Sequence, residues 1–393
     1  MLHSYSFTNF QSFLERVEVD LTINRKVALT DWMTVSPLGE RLSKLMAVIG
    51  PNGSGKTTLL KPIVFINWFV SSSFQLQPDA GIPVTPHFAA SGEPTELTCM
   101  LEFEGKLWRY ELRCTPERVI HEALYQKRER FSYVFVRDWD AASSSYVVKQ
   151  QDFGLAPQEA RKVRQNVSLI AWAAQFGVPL AVRMTNFHVS TNVNVLGRVP
   201  MGDQDVYVAA QHFAAQPEQQ ETMARLLSTW DLGLSGVELA ELPVNNSQEP
   251  GQKIWVPFGK HKSKTSEFKL PFALESSGTQ GAFVLLSRLL QTLELGGLAV
   301  IDEFENDLHP HMLEPILDLF ANPSTNPHQA QLLFTCHAVE VLNLVQKSQV
   351  ILVQKDEYCE SSASRLDAVE GIRSDDNLYA KYMAGAYGAV PIF

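Results

Sequence analysis

Apolar positions along the chain form two kinds of run, and the change from one to the other divides the sequence. Unbroken apolar runs at Leu45–Ile49, Gly297–Ile301, Gln331–Thr335 and Gln349–Lys355 read as parallel strands buried on both faces. The first extends back to Arg41 as one strand. Alternating runs dominate the rest of residues 1–150. They are Tyr5–Phe10, Val17–Leu21, Leu97–Phe103, Leu107–Arg113, Val119–Gln126, Tyr133–Arg137 and Tyr146–Lys149. Period-2 patterning with short turns such as Glu104-Gly105-Lys106 predicts an antiparallel layer. Helical spacing is expected over Thr58–Val70, with Pro62 as a candidate kink, and over Pro157–Phe176 and Pro217–Leu227. It recurs over Gln280–Leu293, His311–Phe320 and Ala338–Val345. Residues 71–95 and 241–265 are rich in polar, Pro and Gly residues and read as a surface excursion and a loop or hairpin. The pattern therefore predicts three parts: 1–150, an inserted and mostly helical 151–270, and an α/β 271–393.

The run Leu45–Ile49 gains a meaning from the eight residues after it. Gly50 to Thr57 fit G-x-x-x-x-G-K-[ST] position by position. Glycines at 50, 53 and 55 let backbone N–H groups approach phosphate oxygens, and the helix start adds partial positive charge. Asn52, Gly53, Ser54, Gly55, Lys56, Thr57 and Thr58 are thus candidate nucleotide-binding residues. Lys56 is expected on the β- and γ-phosphates, and the Thr57 hydroxyl on Mg²⁺.

Three later stretches belong with this loop. Leu298–Ile301 closes on Asp302-Glu303, an arrangement in which the first acid supports Mg²⁺ and the second polarises the attacking water. Glu275–Gly281 is a Ser/Gly turn feeding a helix N-terminus and offers N–H groups and hydroxyls to an anion. Thr335-Cys336-His337 closes the next apolar strand and places a histidine where it can reach a γ-phosphate.

In order, Gly50–Thr57, Ser276–Gln280, Ile301–Glu303, Asn306–His309 and His337 resemble the ABC-type ATPase heads of the SMC and RecF class. The opening Thr8-Asn9-Phe10-Gln11-Ser12-Phe13 is similar to the first strand of that class. The compact bacterial ATPases of the RloA/AbiL type resemble the chain more closely. Their likeness extends to Ala173–Phe176 and Tyr387–Pro391. The resemblance implies an α/β fold: an ABC-type P-loop head with an antiparallel β layer and an inserted helical lobe. It implies ATP and Mg²⁺ as ligands, Asp302 as the metal-supporting acid, Glu303 as the base and His337 as the γ-phosphate sensor. Ser277 and Gly278 would act in trans on ATP held by a second protomer. Asp307 would couple the two sites, and Gln175 would be the Mg²⁺-sensing glutamine. The turn departs from Leu-Ser-Gly-Gly-Gln at Ser276 and Thr279, which bears on the rate of hydrolysis.

The resemblance also implies company: a homodimer or higher oligomer closed over ATP, and a separate effector. ATPases of this kind act in antiphage defence beside partners such as RloB or, in PARIS systems, a Toprim-type nuclease, with a phage product as trigger. A RecF-like ATPase acting directly on DNA is the alternative.

Bulk properties narrow this picture. The 393 residues are 45% apolar and 19% charged, ample for a large core. A net charge of −10 argues against a surface devoted to DNA, leaving two local basic stretches, Lys127–Arg130 and Lys260–Lys264. No uninterrupted apolar stretch has membrane-spanning length. Met1–Ser6 has no basic segment leading into an apolar block, and cysteines 99, 114, 336 and 359 lack metal-type spacing. A cytoplasmic protein with reduced thiols is expected.

Overall fold

The computed structural model describes residues 1–230, 232–243, 253–306, 308, 310–373 and 376–390. The chain opens with β1 (Leu2–Thr8), β2 (Val17–Asp20), β3 (Met33–Val35), β4 (Arg41–Ser43) and β5 (Leu45–Ile49), followed by α1 (Lys56–Ser72). Then come β6 (Thr95–Phe103), β7 (Lys106–Cys114), β8 (Val119–Lys127), β9 (Phe131–Asp140) and β10 (Ser145–Gln150). Next are α2 (Pro157–Ala160), α3 (Leu169–Gln175), α4 (Pro179–Thr185), β11 (Val189–Thr191), α5 (Asp203–Ala215) and α6 (Pro217–Thr229). A three-stranded antiparallel unit, β12 (Gly236–Pro243), β13 (Lys253–Lys262) and β14 (Glu267–Pro271), precedes α7 (Ser277–Leu295). The last elements are β15 (Leu298–Ile301), α8 (Leu313–Ala321), β16 (Gln331–Thr335), β17 (Val350–Lys355), β18 (Ser361–Arg365) and α9 (Leu378–Met383).

The central sheet runs β11-β15-β16-β5-β17-β18, parallel except for the last strand. Side chains alternate across it, as the period of a strand requires. Met46, Val48, Val300 and Leu333 enter one core with α1, while Leu45, Ala47, Ile49, Ala299 and Ile301 enter another with α7 and α8. Burial on both faces explains why these strands read as continuous apolar runs. The second sheet, β10-β9-β8-β7-β6-β1-β2, is antiparallel and covers the α1 side. Buried Gln331 joins the sheets: its amide accepts from Leu2 N at 2.6 Å and donates to Leu2 O at 2.9 Å and Ser43 O at 3.1 Å. The mixed α/β class and the antiparallel layer thus agree with the sequence pattern. Among the described residues, no helix is long and apolar enough to cross a membrane.

Several segments differ from expectation for identifiable reasons. Arg41–Ile49 is two strands, β4 and β5, parted at Lys44. Pro157–Phe176 is not one helix. Residues 161–168 leave the helical path, and the carbonyls of Val163, Arg164 and Val167 bind the buried Arg137 guanidinium instead of closing helical turns. The 71–95 excursion tucks Ile82, Val84 and His87 into the interior. Ala338–Val345 forms a 3-10 turn over Val339–Asn343 rather than an α-helix. Residues 151–270 contribute to both cores: Phe153–Val193 pack with α1, and Val206–Val237 pack with α7. Between them, β11 adds an edge strand to the central sheet. The 241–265 stretch, expected as a loop or hairpin, agrees with the second: β12 and β13 pair as a hairpin, with 244–252 outside the described residues.

Candidate functional site

All five parallel strands point their carboxyl ends toward one region, the place where open α/β sheets bind ligands. β5 delivers residues 50–57, β15 Asp302 and Glu303, β16 Thr335 and His337, β17 Lys355, and β11 Asn192. They meet at a cleft of about 610 Å³ lined by Asn52, Gly53, Gly55, Lys56, Thr57, Thr58, Asp302, Glu303, His337 and Lys355, with Gln11 and Ser12 from the turn after β1.

The loop needs its glycines. Gly53 and Gly55 have φ of 75° and 110°, conformations that side chains resist. A Cβ on Gly50 would stand 2.1 Å from Val353 O, inside the backbone of β17. Gly55 caps α1 without a side chain, so the first N–H groups of that helix have no capping acceptor. Lys56 Nζ folds back onto Gly50 O at 2.8 Å and Pro51 O at 3.1 Å. Burial pulls its ammonium below the usual lysine range, opposed by Asp302 and Glu305. Ser54 is buried beneath the loop, its backbone carbonyl accepting from Ser361 Oγ at 2.7 Å.

The acids are held from several sides. Thr57 Oγ1 donates to Asp302 Oδ2 at 2.8 Å, and Thr335 Oγ1 donates to Asp302 Oδ1 at 2.7 Å. Asn192 brackets the Asp302 backbone, donating to its carbonyl at 2.8 Å and accepting from its N–H at 2.7 Å. Glu303 sits at φ 50°, a conformation uncommon outside glycine, with its N–H on Thr335 Oγ1 at 2.7 Å. Its carboxylate pairs with Arg198 and lies 3.9 Å from His337 Nε2. Burial, then Lys56, lowers the His337 pKa from 6.5, favouring a neutral ring. Two hard oxygen donors, Thr57 Oγ1 and the Asp302 carboxylate, stand together at the mouth of a glycine cradle. That donor set fits a small divalent cation that keeps most of its waters and contacts a phosphate.

Residues 45–343 match a family described as "AAA domain, putative AbiEii toxin, Type IV TA system". The chain belongs to this AAA domain family. No curated protein matches the sequence. Among solved structures, the "SMC head domain from Thermotoga maritima" is 13% identical, covers 93% of this chain and 98% of its own, and has a TM-score of 0.43. The "SmcHead bound to the C-winged helix domain of ScpA" is 12% identical, covers 94% and 99%, and scores 0.47. A head with an extended coiled coil bound to the C-terminal domain of ScpA, derived from Pyrococcus furiosus, is 11% identical, covers 93% and 97%, and scores 0.46.

The AAA domain thus brings together the loop residues, Asp302, Glu303 and His337, but not every residue singled out in the sequence. Gln175 is exposed at the end of α3, away from the cleft. Nearby, Trp172 packs between Phe74, which follows the far end of α1, and Phe176. α1 alone spans about 25 Å at 1.5 Å per residue, so Gln175 does not meet the loop at its other end. Asn192, the residue after β11, holds the Asp302 backbone from that side, and sequence reasoning missed it. Ser277 and Gly278 start α7 outside the cleft, with Ser276 Oγ accepting from Thr279 N at 3.2 Å. Asp307 lies outside the described residues, as do His309 and Pro391. Thr335, Lys355, Gln11 and Arg198 were also missed. Thr335 carried a signal, a hydroxyl ending an apolar strand two residues before His337. Arg198 carried none.

Proposed function

We propose that this AAA domain binds ATP with Mg²⁺ in the cleft and hydrolyses it. In this reading, bound ATP closes two copies into an assembly that controls a separate effector in antiphage defence. The convergence of Gly50–Thr57, Asp302, Glu303 and His337 on one cleft carries the nucleotide reading. The loop N–H groups take the phosphates, and Lys56 exchanges its carbonyl partners for β- and γ-phosphate oxygens. Thr57 and Asp302 would hold Mg²⁺, with Asn192 fixing the Asp302 backbone. The cation would supply charge neutralisation to the phosphates. Glu303 accepts a proton from water as the water oxygen bonds to the γ-phosphorus. The bond from that phosphorus to the β–γ bridging oxygen breaks, leaving ADP and phosphate. His337 donates from its neutral ring to a γ-phosphate oxygen.

The trans arrangement is supported by position. Ser277 is exposed and outside its own cleft, and Leu274 beside it is 71% exposed. Ser277 and Gly278 would complete the site of a second copy, with Asp307 coupling the two sites. The family's description, "putative AbiEii toxin, Type IV TA system", supports a place in a toxin–antitoxin system; the separate effector of the Toprim-nuclease or RloB-like kind and its phage trigger rest on the resemblance of the sequence motifs. Direct action on DNA loses one of its two basic stretches. Lys260 pairs with Glu238, Lys262 with Glu267 and His261 with Glu275.

Phosphate release and light scattering test the proposal together. Glu303→Gln with ATP and Mg²⁺ should release no phosphate and double in mass, and Ser277→Arg should stay monomeric. A Glu303→Gln protein that turns over ATP at the wild-type rate removes the base assignment. One that stays monomeric with ATP bound removes the trans site.

A further inference from the structure

The carboxylate assigned as base is not free, and the way it is occupied is specific. Arg198 pairs with Glu303. It is carried by a tight hairpin over residues 192–199, in which Val193 bridges Arg198, Asn194 N donates to Gly197 O at 2.8 Å and Val199 N donates to Asn192 O at 2.8 Å. Asn194 Oδ1 closes the turn by accepting from Leu196 N at 2.8 Å and Gly197 N at 2.9 Å. One arm is locked to the sheet through the two bonds between Asn192 and Asp302. The tip is locked to α1, where Lys61 Nζ donates to Leu196 O at 2.8 Å. The hairpin is thus anchored at arm and tip, and it extends a guanidinium into the charged cleft. Arg198 Nε is buried without an acceptor, so the pair with Glu303 leaves one of its donors unsatisfied.

We infer that Arg198 is a phosphate-responsive latch on Glu303: it holds the carboxylate while no triphosphate is bound, and it transfers to the terminal phosphate of a nucleoside triphosphate when one binds. The inference rests on the nucleotide reading above and adds the regulation of that site. A guanidinium fork matches a phosphate at least as well as a carboxylate, and the phosphate offers three oxygens and more charge. A carboxylate held by a guanidinium has its oxygen occupied and is not free to orient an attacking water. Transfer to the phosphate relieves that pairing at the moment a substrate is present. A diphosphate has no terminal group in this position and leaves the latch closed, so recognition of the third phosphate and release of the base are one event.

Equilibrium titration of the full chain with fluorescent ATP and ADP analogues, with Mg²⁺ present, tests this. Arg198→Ala should keep ADP affinity within about threefold and lose at least about tenfold in ATP affinity, the loss of a charge-assisted contact made only to the third phosphate. Arg198→Lys keeps the charge without the fork and should fall between. An unchanged ratio of ATP to ADP affinity overturns the latch, even where the melting temperature drops, because that outcome describes a purely structural ion pair. If Arg198→Ala does not fold, Arg198→Lys decides by the same ratio. Failure of the parent reading is distinct: the wild type then binds neither nucleotide, and the latch falls with it. Wild-type binding abolished by Lys56→Ala, beside an unchanged ratio in Arg198→Ala, removes the latch alone.

Discussion

One hydroxyl, that of Thr335, supports both acids, and replacing it separates hydrogen bonding from packing. Thr335 is fully buried. Its Oγ1 donates to Asp302 Oδ1 at 2.7 Å and accepts from Glu303 N at 2.7 Å. Thr335→Val preserves shape and suits a strand, but it removes both bonds. Losing the donor to a carboxylate costs about 1.5–3 kcal/mol, and leaving a buried N–H unpaired costs about 1–3 kcal/mol. With a small gain from the extra apolar group, the net is about 2–5 kcal/mol. Thr335→Ser keeps the hydroxyl and loses one methyl group, about 1 kcal/mol in a buried site. The valine variant should therefore be the less stable by about 1–4 kcal/mol, although it is the more apolar and the better strand former. Urea unfolding of both variants and wild type, compared at constant m-value, measures this. A valine variant as stable as the serine variant would refute the argument that this hydroxyl positions the acids. The same valine variant should lose ATP turnover more than ATP binding, since Glu303 at φ 50° depends on that N–H contact.

Other predictions concern the loop and the second sheet. Gly55→Ala combines a φ of 110° with a Cβ 2.7 Å from Ser361 Oγ, and it should abolish nucleotide binding in an otherwise folded chain. Wild-type binding by that variant would show that the loop tolerates a different path. Arg137→Met strips the counter-charge from buried Glu122 and should destabilise by about 3–5 kcal/mol, measured by chemical denaturation. A loss under about 1 kcal/mol would mean that Tyr110 and Ser168, which also donate to Glu122, suffice to hold the charge. His121 lies between Glu111 and Asp138, and hydrogen bonding to Glu111 leads the causes that raise its pKa above 6.5. Its stabilisation is thus complete below the unfolded pKa and lost as pH rises through the raised folded value. His121→Gln should flatten that decline, and an unchanged slope would contradict the assignment.

The sequence made the central sheet legible because parallel strands covered on both faces cannot hide their apolar runs. It made the phosphate loop legible because no other residue types allow that path. Val189–Thr191 left no such trace, since a three-residue strand has no period to read. Its loss concealed Asn192 and Arg198, polar residues of a hairpin with no motif of their own. The glutamine chosen instead, Gln175, belonged to an apparent helix that the structure breaks. The buried Arg137 takes three carbonyls from that stretch, a long-range demand that local periodicity cannot express. Ser277 and Gly278 were legible as a capped helix start, and the role proposed for them requires a second copy of the chain.

Equilibrium dialysis of radiolabelled ATP with Mg²⁺ against the wild type and Lys56→Ala tests the central claim most directly. Saturable binding of one ATP per wild-type chain is expected. Lys56→Ala should weaken that binding at least about a hundredfold, the loss expected when a buried charged contact to phosphate is removed. Equal binding by the two proteins, or no binding by the wild type, would contradict the assignment of this cleft as a nucleotide site.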